Sequence, residues 1–460
     1  MTTTVVILAA GLGTRMRSKR AKVLHRAGGM ALVEHVVAAA RAVAPADHIV
    51  AVTGHQADQV EDLLAPGGLR FARQTEQKGT GHAVACARDA AGTSDVVMVL
   101  YGDTPLLSPA TLTRLRDAQG NSDAAATLIT TSLDDPSGYG RVIVNANDND
   151  AVTAIVEEKA CTEAQRSIHL INSGIYCFRA DLLWKYLGEV QPDNPAHEFY
   201  LTDMAAILNT HSHRVQALHI EDSSELLGIN TRIELADADR LLRRRKADEL
   251  MLCGVTIERP ETVSIDTPVR IGMDTIVEPF VRLLGETEIG EDCRIGAGSI
   301  IESSILAQGV VIKPYSIVAD SRIEAKAQIG PFARLRMNAH IGADARVGNF
   351  VEVKKSRLGA GTKSQHLAYL GDAEIGDRVN IGAGTITCNF DGEKKHETRI
   401  GSGAFIGSNA TLVAPIEIGK DSYVGAGSVI TDPVPDQALA LGRGRQVVKT
   451  DWVAKRKKKE

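Results

Sequence analysis

Aromatic residues make up only 4% of the 460-residue sequence, and no long apolar run occurs. The longest, Val5–Ala10 and Val96–Tyr101, fall far short of the ~20 residues a membrane helix needs, so no membrane association is expected. Neither sign of charge dominates. The 52 basic and 57 acidic residues leave a net charge of −5, which gives no broad basic surface for nucleic acid. The six cysteines, at 86, 161, 177, 253, 293 and 388, form no C-x-x-C pair. Neither a zinc site nor a disulfide framework follows, and six reduced, mostly buried thiols are expected. The start, Met1-Thr-Thr-Thr, has no basic segment and no cleavage signature, so a cytoplasmic protein is expected. Apolar residues at 44% and charged residues at 24% exclude wholesale disorder. The length suits two or three domains.

Glycine, in contrast, is abundant. The 42 glycines crowd into the second half, where an aliphatic residue recurs every sixth position. Ile271, Val277, Leu283, Ile289, Ile295 and Ile301 form one run. After a two-residue slip, Ile305, Val311, Ile317, Ile323, Ile329, Leu335, Ile341, Val347 and Val353 form the next. Ile400, Ile406, Leu412, Ile418, Val424 and Ile430 form a third. A helix repeats at 3.6 and an ordinary strand at two, so neither accounts for six. A parallel β-helix does: each coil has three flat faces, with one aliphatic side chain per face pointing inward and small residues at the corners. Large aromatics do not fit so narrow a prism. The register breaks over 354–371 and over Asn389–Arg399. Such breaks read as loops on one face, either functional or plain protrusions.

The first ~230 residues alternate buried-strand runs with helical periodicity such as Ala31–Ala44, which predicts an α/β layer with a Rossmann-like mixed sheet, mostly parallel. Ile233–Met251 lacks Gly and Pro and reads as a connecting helix, with Arg243–Lys246 as a solvated face. The expected domains are therefore 1–232, a helical linker at 233–253, the β-helix at 254–438 and a tail at 439–460. Lys455–Glu460 is expected to be disordered.

The strand Val5–Ala10 runs into Gly11-Leu-Gly-Thr-Arg15-Met16. A glycine-rich turn after a strand lets backbone N–H groups approach phosphates. The P-loop pattern is absent, and Met16 replaces the third glycine of the dinucleotide fingerprint. Arg15 in the loop and Lys22 after it instead suit a nucleoside triphosphate attacked at its α-phosphate, where both cations neutralise developing charge. A surface turn with incidental cations is the competing reading. Asp103, in Tyr101-Gly102-Asp103, ends a predicted strand and suits Mg²⁺, or else caps the next turn.

Leu8-Ala9-Ala10-Gly11-x-Gly-Thr-Arg-Met16, Lys22-Val-Leu-His25, Gly79-Thr-Gly-His82 and Tyr101-Gly-Asp103 resemble the sugar-nucleotide pyrophosphorylases. With the hexads attached, residues 5–452 resemble the bacterial bifunctional N-acetylglucosamine-1-phosphate uridylyltransferases / glucosamine-1-phosphate acetyltransferases. The resemblance implies a nucleotidyltransferase unit that joins UTP to N-acetylglucosamine 1-phosphate and releases pyrophosphate. Leu8, Ala9, Ala10 and Gly11 would contact the nucleotide; Gln74, Gly79 and Thr80 would read uracil; Arg15 and Lys22 would handle phosphates. Tyr101 and Gly102 would border that site. Gly140, Glu157 and Asn172 would hold the sugar, and Asp103 and Asn230 would bind Mg²⁺.

The hexad half resembles the left-handed β-helix acetyltransferases, usually homotrimers, and implies acetyl-CoA as co-substrate and glucosamine 1-phosphate as acceptor. His366, in Ser364-Gln-His-Leu-Ala-Tyr369-Leu-Gly-Asp372, matches the general base. Arg336 and Lys354 would bind the sugar phosphate, and Tyr369, Asn380, Asn389 and Phe390 would line the acceptor and acetyl-CoA site. Ala383, Ser408, Ala426 and Arg443 would contact coenzyme A. Ala21 stands where the family usually has Pro, so a looser loop around Lys22 is expected; Phe390 stands where many members have Tyr. Two other readings compete: a pyrophosphorylase with a purely structural β-helix, and a non-enzymatic scaffold binding sugar nucleotides. The Arg336, Lys354, His366 and Tyr369 set argues against the first, and Arg15, Lys22 and Asp103 against the second.

Overall fold

The computed structural model describes residues 1–145 and 148–457. The chain divides into two compact units, Met1–Leu242 and Arg243 onward. The helix Arg232–Leu252 runs through the division.

The first unit is built on a nine-stranded sheet. Its strands lie in the order Arg70–Arg73, Ile49–Thr53, Thr3–Ala9, Val96–Tyr101, Leu170–Arg179, Ala126–Ser132, Val215–His219, Asp148–Val156 and Arg141–Asn145. The first four are mutually parallel, while Leu170–Arg179 runs antiparallel to both neighbours. The sheet is therefore mixed, and parallel where the phosphate loop lies. Thr3–Ala9 is buried along its whole length. Val6 and Leu8 enter one core cluster, Val5, Ile7 and Ala9 the other. A strand covered on both faces needs a continuous apolar run, which is why Val5–Ala10 does not alternate. The predicted helix 31–44 is shorter, Leu32–Ala40. Glu34 accepts its first N–H from Ala31, and Pro45 disfavours helical backbone in the residue before it.

The second unit is a left-handed parallel β-helix. Val277 pairs with Ile295, Ile295 with Ile312, Ile312 with Ile329 and Ile329 with Val347. Three hexads thus close one coil. Buried Ser and Thr hydroxyls support the corners; Thr275 donates to the Gly290 carbonyl at 2.8 Å. The two-residue slip is not where the periodicity placed it. Leu306, Ile312 and Val318 point inward, whereas Ile305 and Ile317 are each 43% exposed. Two one-residue shortenings, before Leu306 and before Ile323, replace the single slip. Each inward residue there has an aliphatic neighbour (Ile305-Leu306, Val311-Ile312, Ile317-Val318), so spacing alone cannot choose between them.

The first predicted register break is not a loop. Lys363–Gly371 is a strand, and the coil continues through Ser364, opposite Val347, and Leu370, opposite Val353. A buried serine had hidden the inward position. The second break is real: Ile375 pairs with Ile400 across a protruding segment closed by a bridge from Phe390 to Lys395. Arg243–Lys246 is not simply a solvated face. Arg243 pairs with Asp266 at 2.7 Å, and Lys246 is buried. Trp452–Lys457 is helical, so 455–457 are not disordered; 458–460 lie outside the described residues. Cys161, Cys177 and Cys293 are buried, Cys86 and Cys388 half-buried and Cys253 exposed, all as free thiols. Among the described residues no helix is long and apolar enough to cross a membrane.

Candidate active sites

The first site lies where strand order reverses. Thr3–Ala9 sits between Ile49–Thr53 and Val96–Tyr101, so the turns leaving their carboxyl ends diverge and open a crevice. The cleft measures about 490 Å³ and is lined by Leu8, Ala10, Gly11, Arg15, Lys22, Gln74, Gly79, Thr80, Tyr101, Asp103 and Asn230. Ala9 and Gly102 are buried beside them, with the Gly102 N–H donating to the Leu8 carbonyl at 2.9 Å.

Two cations and two oxygen donors share one end of this cleft. Asn230 Oδ1 accepts from Arg15 Nη2 at 2.8 Å and from Lys22 Nζ at 3.1 Å. Lys22 also forms an ion pair with Asp103. Glu234 accepts the Asn230 N–H, and the Ile229 N–H donates to the Asp103 carbonyl at 2.9 Å, which ties the two oxygen donors together. Gly13 makes room for Lys22: its φ is 62°, and a Cβ there would stand 2.6 Å from Lys22 Cβ.

At the other end, Gln74 is buried and its Nε2 donates to the Gly79 carbonyl and to His82 Nδ1, both at 3.0 Å. With both amide hydrogens engaged, Oε1 is left as an acceptor. Gly79 has a φ of 111°, and a Cβ would lie 2.6 Å from the Phe199 carbonyl. Thr80 Oγ1 accepts the Leu201 N–H at 3.0 Å. Gly140, Glu157 and Asn172 form a separate group that does not line this cleft. A Cβ on Gly140 would stand 3.7 Å from both other side chains. Asn172 Nδ2 donates to the Tyr176 hydroxyl at 2.7 Å. Burial raises the pKa of Glu157, and burial likewise raises that of Tyr101, with Glu157 adding to it.

The second site runs along one edge of the β-helix. Asn349, His366, Ala383, Ser408 and Ala426 occupy the same corner on successive coils. The Gly384 N–H donates to the Leu367 carbonyl, Asn409 to Ala383 and Gly427 to Ser408, at 2.7 to 2.8 Å. Arg443 extends the column by donating to the Ala426 carbonyl at 3.0 Å. His366 is exposed, with Nδ1 3.0 Å from Asn349 Oδ1. An amide oxygen only accepts, so Nδ1 carries a hydrogen, and in the neutral imidazole Nε2 is then the basic nitrogen.

A polar cluster lies at the far end of the face that begins at His366. Lys354 Nζ donates to Asp372 at 2.8 Å, Asn389 donates to the same carboxylate, and Tyr369 OH lies 3.4 Å from Asn389. Burial alone would raise the Asp372 pKa, but Lys354 and Asn389 hold it below its ordinary value. Arg336 is the in-register neighbour of Lys354 and donates to Glu352 at 2.7 Å. Asp372 also lines a cavity of about 590 Å³ with His340, Lys355, Lys395 and His396. Asn380 lies opposite Lys363, on the face before the corner, and Phe390 is exposed. The geometry therefore separates the predicted acetyl-site residues into a corner column and a face cluster.

Comparison with known proteins follows the same division. Residues 5–141 match the MobA-like NTP transferase domain, 260–357 the GMPPB C-terminal domain, and 397–432 the bacterial transferase hexapeptide (six repeats). The Bifunctional protein GlmU of Solibacter usitatus is 55% identical, covering 99% of this chain and 97% of its own. Its counterparts in Koribacter versatilis and Trichormus variabilis are 51% and 47% identical, covering 98% and 97% of this chain and 97% and 98% of theirs. The chain belongs to the bifunctional GlmU family. It is accordingly an enzyme with a nucleotidyltransferase unit followed by a hexapeptide acetyltransferase unit.

Several residues around both sites carried no role in the sequence. His82 and Asp372 lie inside recognised motifs, so the motif was their only signal. Asn349 and Glu352 likewise fall in the motif Asn349-Phe-Val-Glu-Val-Lys354, but nothing in it points to their partners, which lie 17 and 16 residues away across coils; Glu234, which accepts the Asn230 N–H at a helix start, had no signal.

Proposed function

We propose that the chain acetylates glucosamine 1-phosphate with acetyl-CoA and then transfers uridylyl from UTP to the product, forming UDP-N-acetylglucosamine and pyrophosphate. The uridylyltransferase is assigned to 1–232, a linker to 233–253, the acetyltransferase to 254–438 and a tail to 439–460. UTP and acetyl-CoA as substrates fit a cytoplasmic enzyme making cell-wall precursors.

The observation that carries the first reaction is the convergence of Arg15, Lys22, Asp103 and Asn230 at one end of the cleft. The sugar phosphate oxygen attacks the α-phosphorus while the bond to pyrophosphate breaks. No side-chain nucleophile is needed, so catalysis is positioning and charge neutralisation. Arg15 and Lys22 neutralise charge on the α-phosphate and departing pyrophosphate. Leu8 to Gly11 supply the backbone cradle, with Tyr101 and Gly102 beside it. Gln74 Oε1 accepts the uracil imide N–H, with Gly79 and Thr80 completing the base pocket. Gly140, Glu157 and Asn172 hold the sugar beyond Tyr101. A carboxylate beside an amide oxygen fits Mg²⁺, a hard cation that takes few protein oxygens. Asp103 and Asn230 would hold it, and it would draw charge from the phosphates. Chelation is expected to abolish pyrophosphate release and leave acetyl transfer intact.

For the second reaction, Lys354 and Arg336 bind the sugar phosphate as point charge and planar fork. Tyr369, Asn380 and Asn389 line the acceptor site, and Ala383, Ser408, Ala426 and Arg443 track coenzyme A, with Phe390 bordering it. His366 Nε2 takes the amine proton as the amine attacks the thioester carbonyl, and the coenzyme A thiolate leaves and is then protonated. The corner column and the face cluster are complementary halves of one site. A homotrimer that sets one chain's column against another's face cluster completes it. Tyr315, Phe332 and Phe350 support such a contact: they stack at 5.4 and 5.5 Å along the same corner and are 58, 49 and 58% exposed, an apolar edge suited to a partner.

The test is an assay with glucosamine 1-phosphate, acetyl-CoA, UTP and Mg²⁺ that follows free thiol and pyrophosphate separately. Both products are expected. Pyrophosphate from pre-acetylated sugar phosphate with no thiol at any time would reduce the β-helix to a structural role.

A further inference from the structure

We propose that Gln56 is the positioning residue for Lys22. The inference rests on the reading of the first site as a uridylyltransferase. Lys22 follows an exposed stretch, Arg17 to Arg20, and the chain turns back into the core at Ala21, which is 1% exposed. At that re-entry Gln56 brackets the backbone from outside: its Nε2 donates to the Lys19 carbonyl at 2.7 Å, and its Oε1 accepts the Ala21 N–H at 2.6 Å. Both ends of one amide are used, so the loop is held in register and not merely in place. Ala21 is also the residue from which the single turn Lys22–Leu24 starts.

Gln56 is itself held in an unusual conformation. Its φ is 55° and ψ 41°, the left-handed region that a side chain other than Gly, Asn or Asp rarely adopts. Such a residue persists where its surroundings over-determine it, and these cases cluster at functional sites. The tight turn explains its placement. Gly54 follows the strand Ile49–Thr53 and lies against Ala10, where a Cβ would stand 2.8 Å from the Ala10 Cβ. The His55 N–H donates to the Ala10 carbonyl at 3.4 Å, and Ala57 donates back to Gly54 at 3.1 Å. One turn at the carboxyl end of the neighbouring strand therefore touches the phosphate loop through Gly54 and His55 and the Lys22 loop through Gln56. Gly13, lacking a Cβ, leaves the space that the Lys22 side chain occupies. The Ala21 backbone (φ −55°, ψ 140°) is one that proline adopts, and a proline there would remove the N–H that Gln56 satisfies.

The test uses the full-length protein. Gln56→Gly removes the amide and places at this position the one residue for which the left-handed backbone carries no strain. It is expected to lower kcat/KM for UTP about tenfold, within the range a displacement of ~1 Å produces, with KM for the sugar phosphate and acetyl transfer unchanged. Tryptic cleavage after Arg17 or Lys19 is expected to accelerate. Adding Ala21→Pro removes the orphaned N–H and presets φ, and should return both readouts to within about twofold of wild type. Gln56→Gly with wild-type uridylyl transfer and cleavage, or a double variant no better than the single, overturns the proposal. A wild-type protein that releases no pyrophosphate overturns the reading of the site instead.

Discussion

Lys354 and Asp372 are 3 and 9% exposed, so each is costly without the other. Replacing Lys354 by Met leaves the buried carboxylate with only Asn389 and the exposed Lys355, 3.7 Å away, and is expected to destabilise the β-helix unit by about 1–3 kcal/mol. The pair also predicts a pH dependence. The Asp372 pKa is depressed in the folded protein, so its contribution is complete above the unfolded value near 4 and is lost as pH falls through the lower folded value. Unfolding temperature should fall with pH in that window, and less so in the Lys354→Met variant. His366 makes the opposite case: it is exposed, and the role proposed for it is in the chemistry alone. His366→Ala is expected to lower acetyl transfer by about 10²–10⁴-fold, with pyrophosphate release from N-acetylglucosamine 1-phosphate unchanged. The motif made His366 visible in the sequence. Asn349 lies in the motif that ends at Lys354, but its contact with His366 from the adjacent coil was not visible, because no local pattern links the two.

The β-helix coil is the element that periodicity described best and still misplaced by one residue. Aliphatic spacing identified six-residue faces, yet where two aliphatics are adjacent only the closed coil decides which one is buried. Leu306→Ala should therefore cost about 2–5 kcal/mol, whereas Ile305→Ala should cost well under half of that; comparing denaturation midpoints decides the register. Ser364 shows the same limit from the polar side. It holds an inward position, so the hexad seemed broken where the strand in fact continues through His366. On the N-terminal side, the run Val5–Ala10 announced a doubly covered strand, but the antiparallel insertion of Leu170–Arg179 into the sheet left no comparable signal, since pairing partners are set by tertiary packing.

At the scale of the molecule, the two units have separate cores. Each activity is therefore expected to survive alone, and a fragment ending near residue 252 should fold and release pyrophosphate without freeing thiol. The exposed Tyr315, Phe332 and Phe350 ladder is where the proposed homotrimer is tested. Replacing all three by Ser is expected to shift sedimentation from trimer toward monomer and to lower acetyl transfer with it, while uridylyl transfer persists.

Hexad spacing, strand-then-glycine turns and cation placement are local patterns, so the β-helix, the α/β unit before it and the residue types at both sites were legible from the residues alone. Which aliphatic of each adjacent pair is buried, and that the predicted acetyl-site residues divide between a corner column and a face cluster, became visible only in the folded chain. So did the contacts of Gln56 with the Lys22 loop. Each of these depends on groups brought together across coils or strands, where sequence distance carries no information about contact.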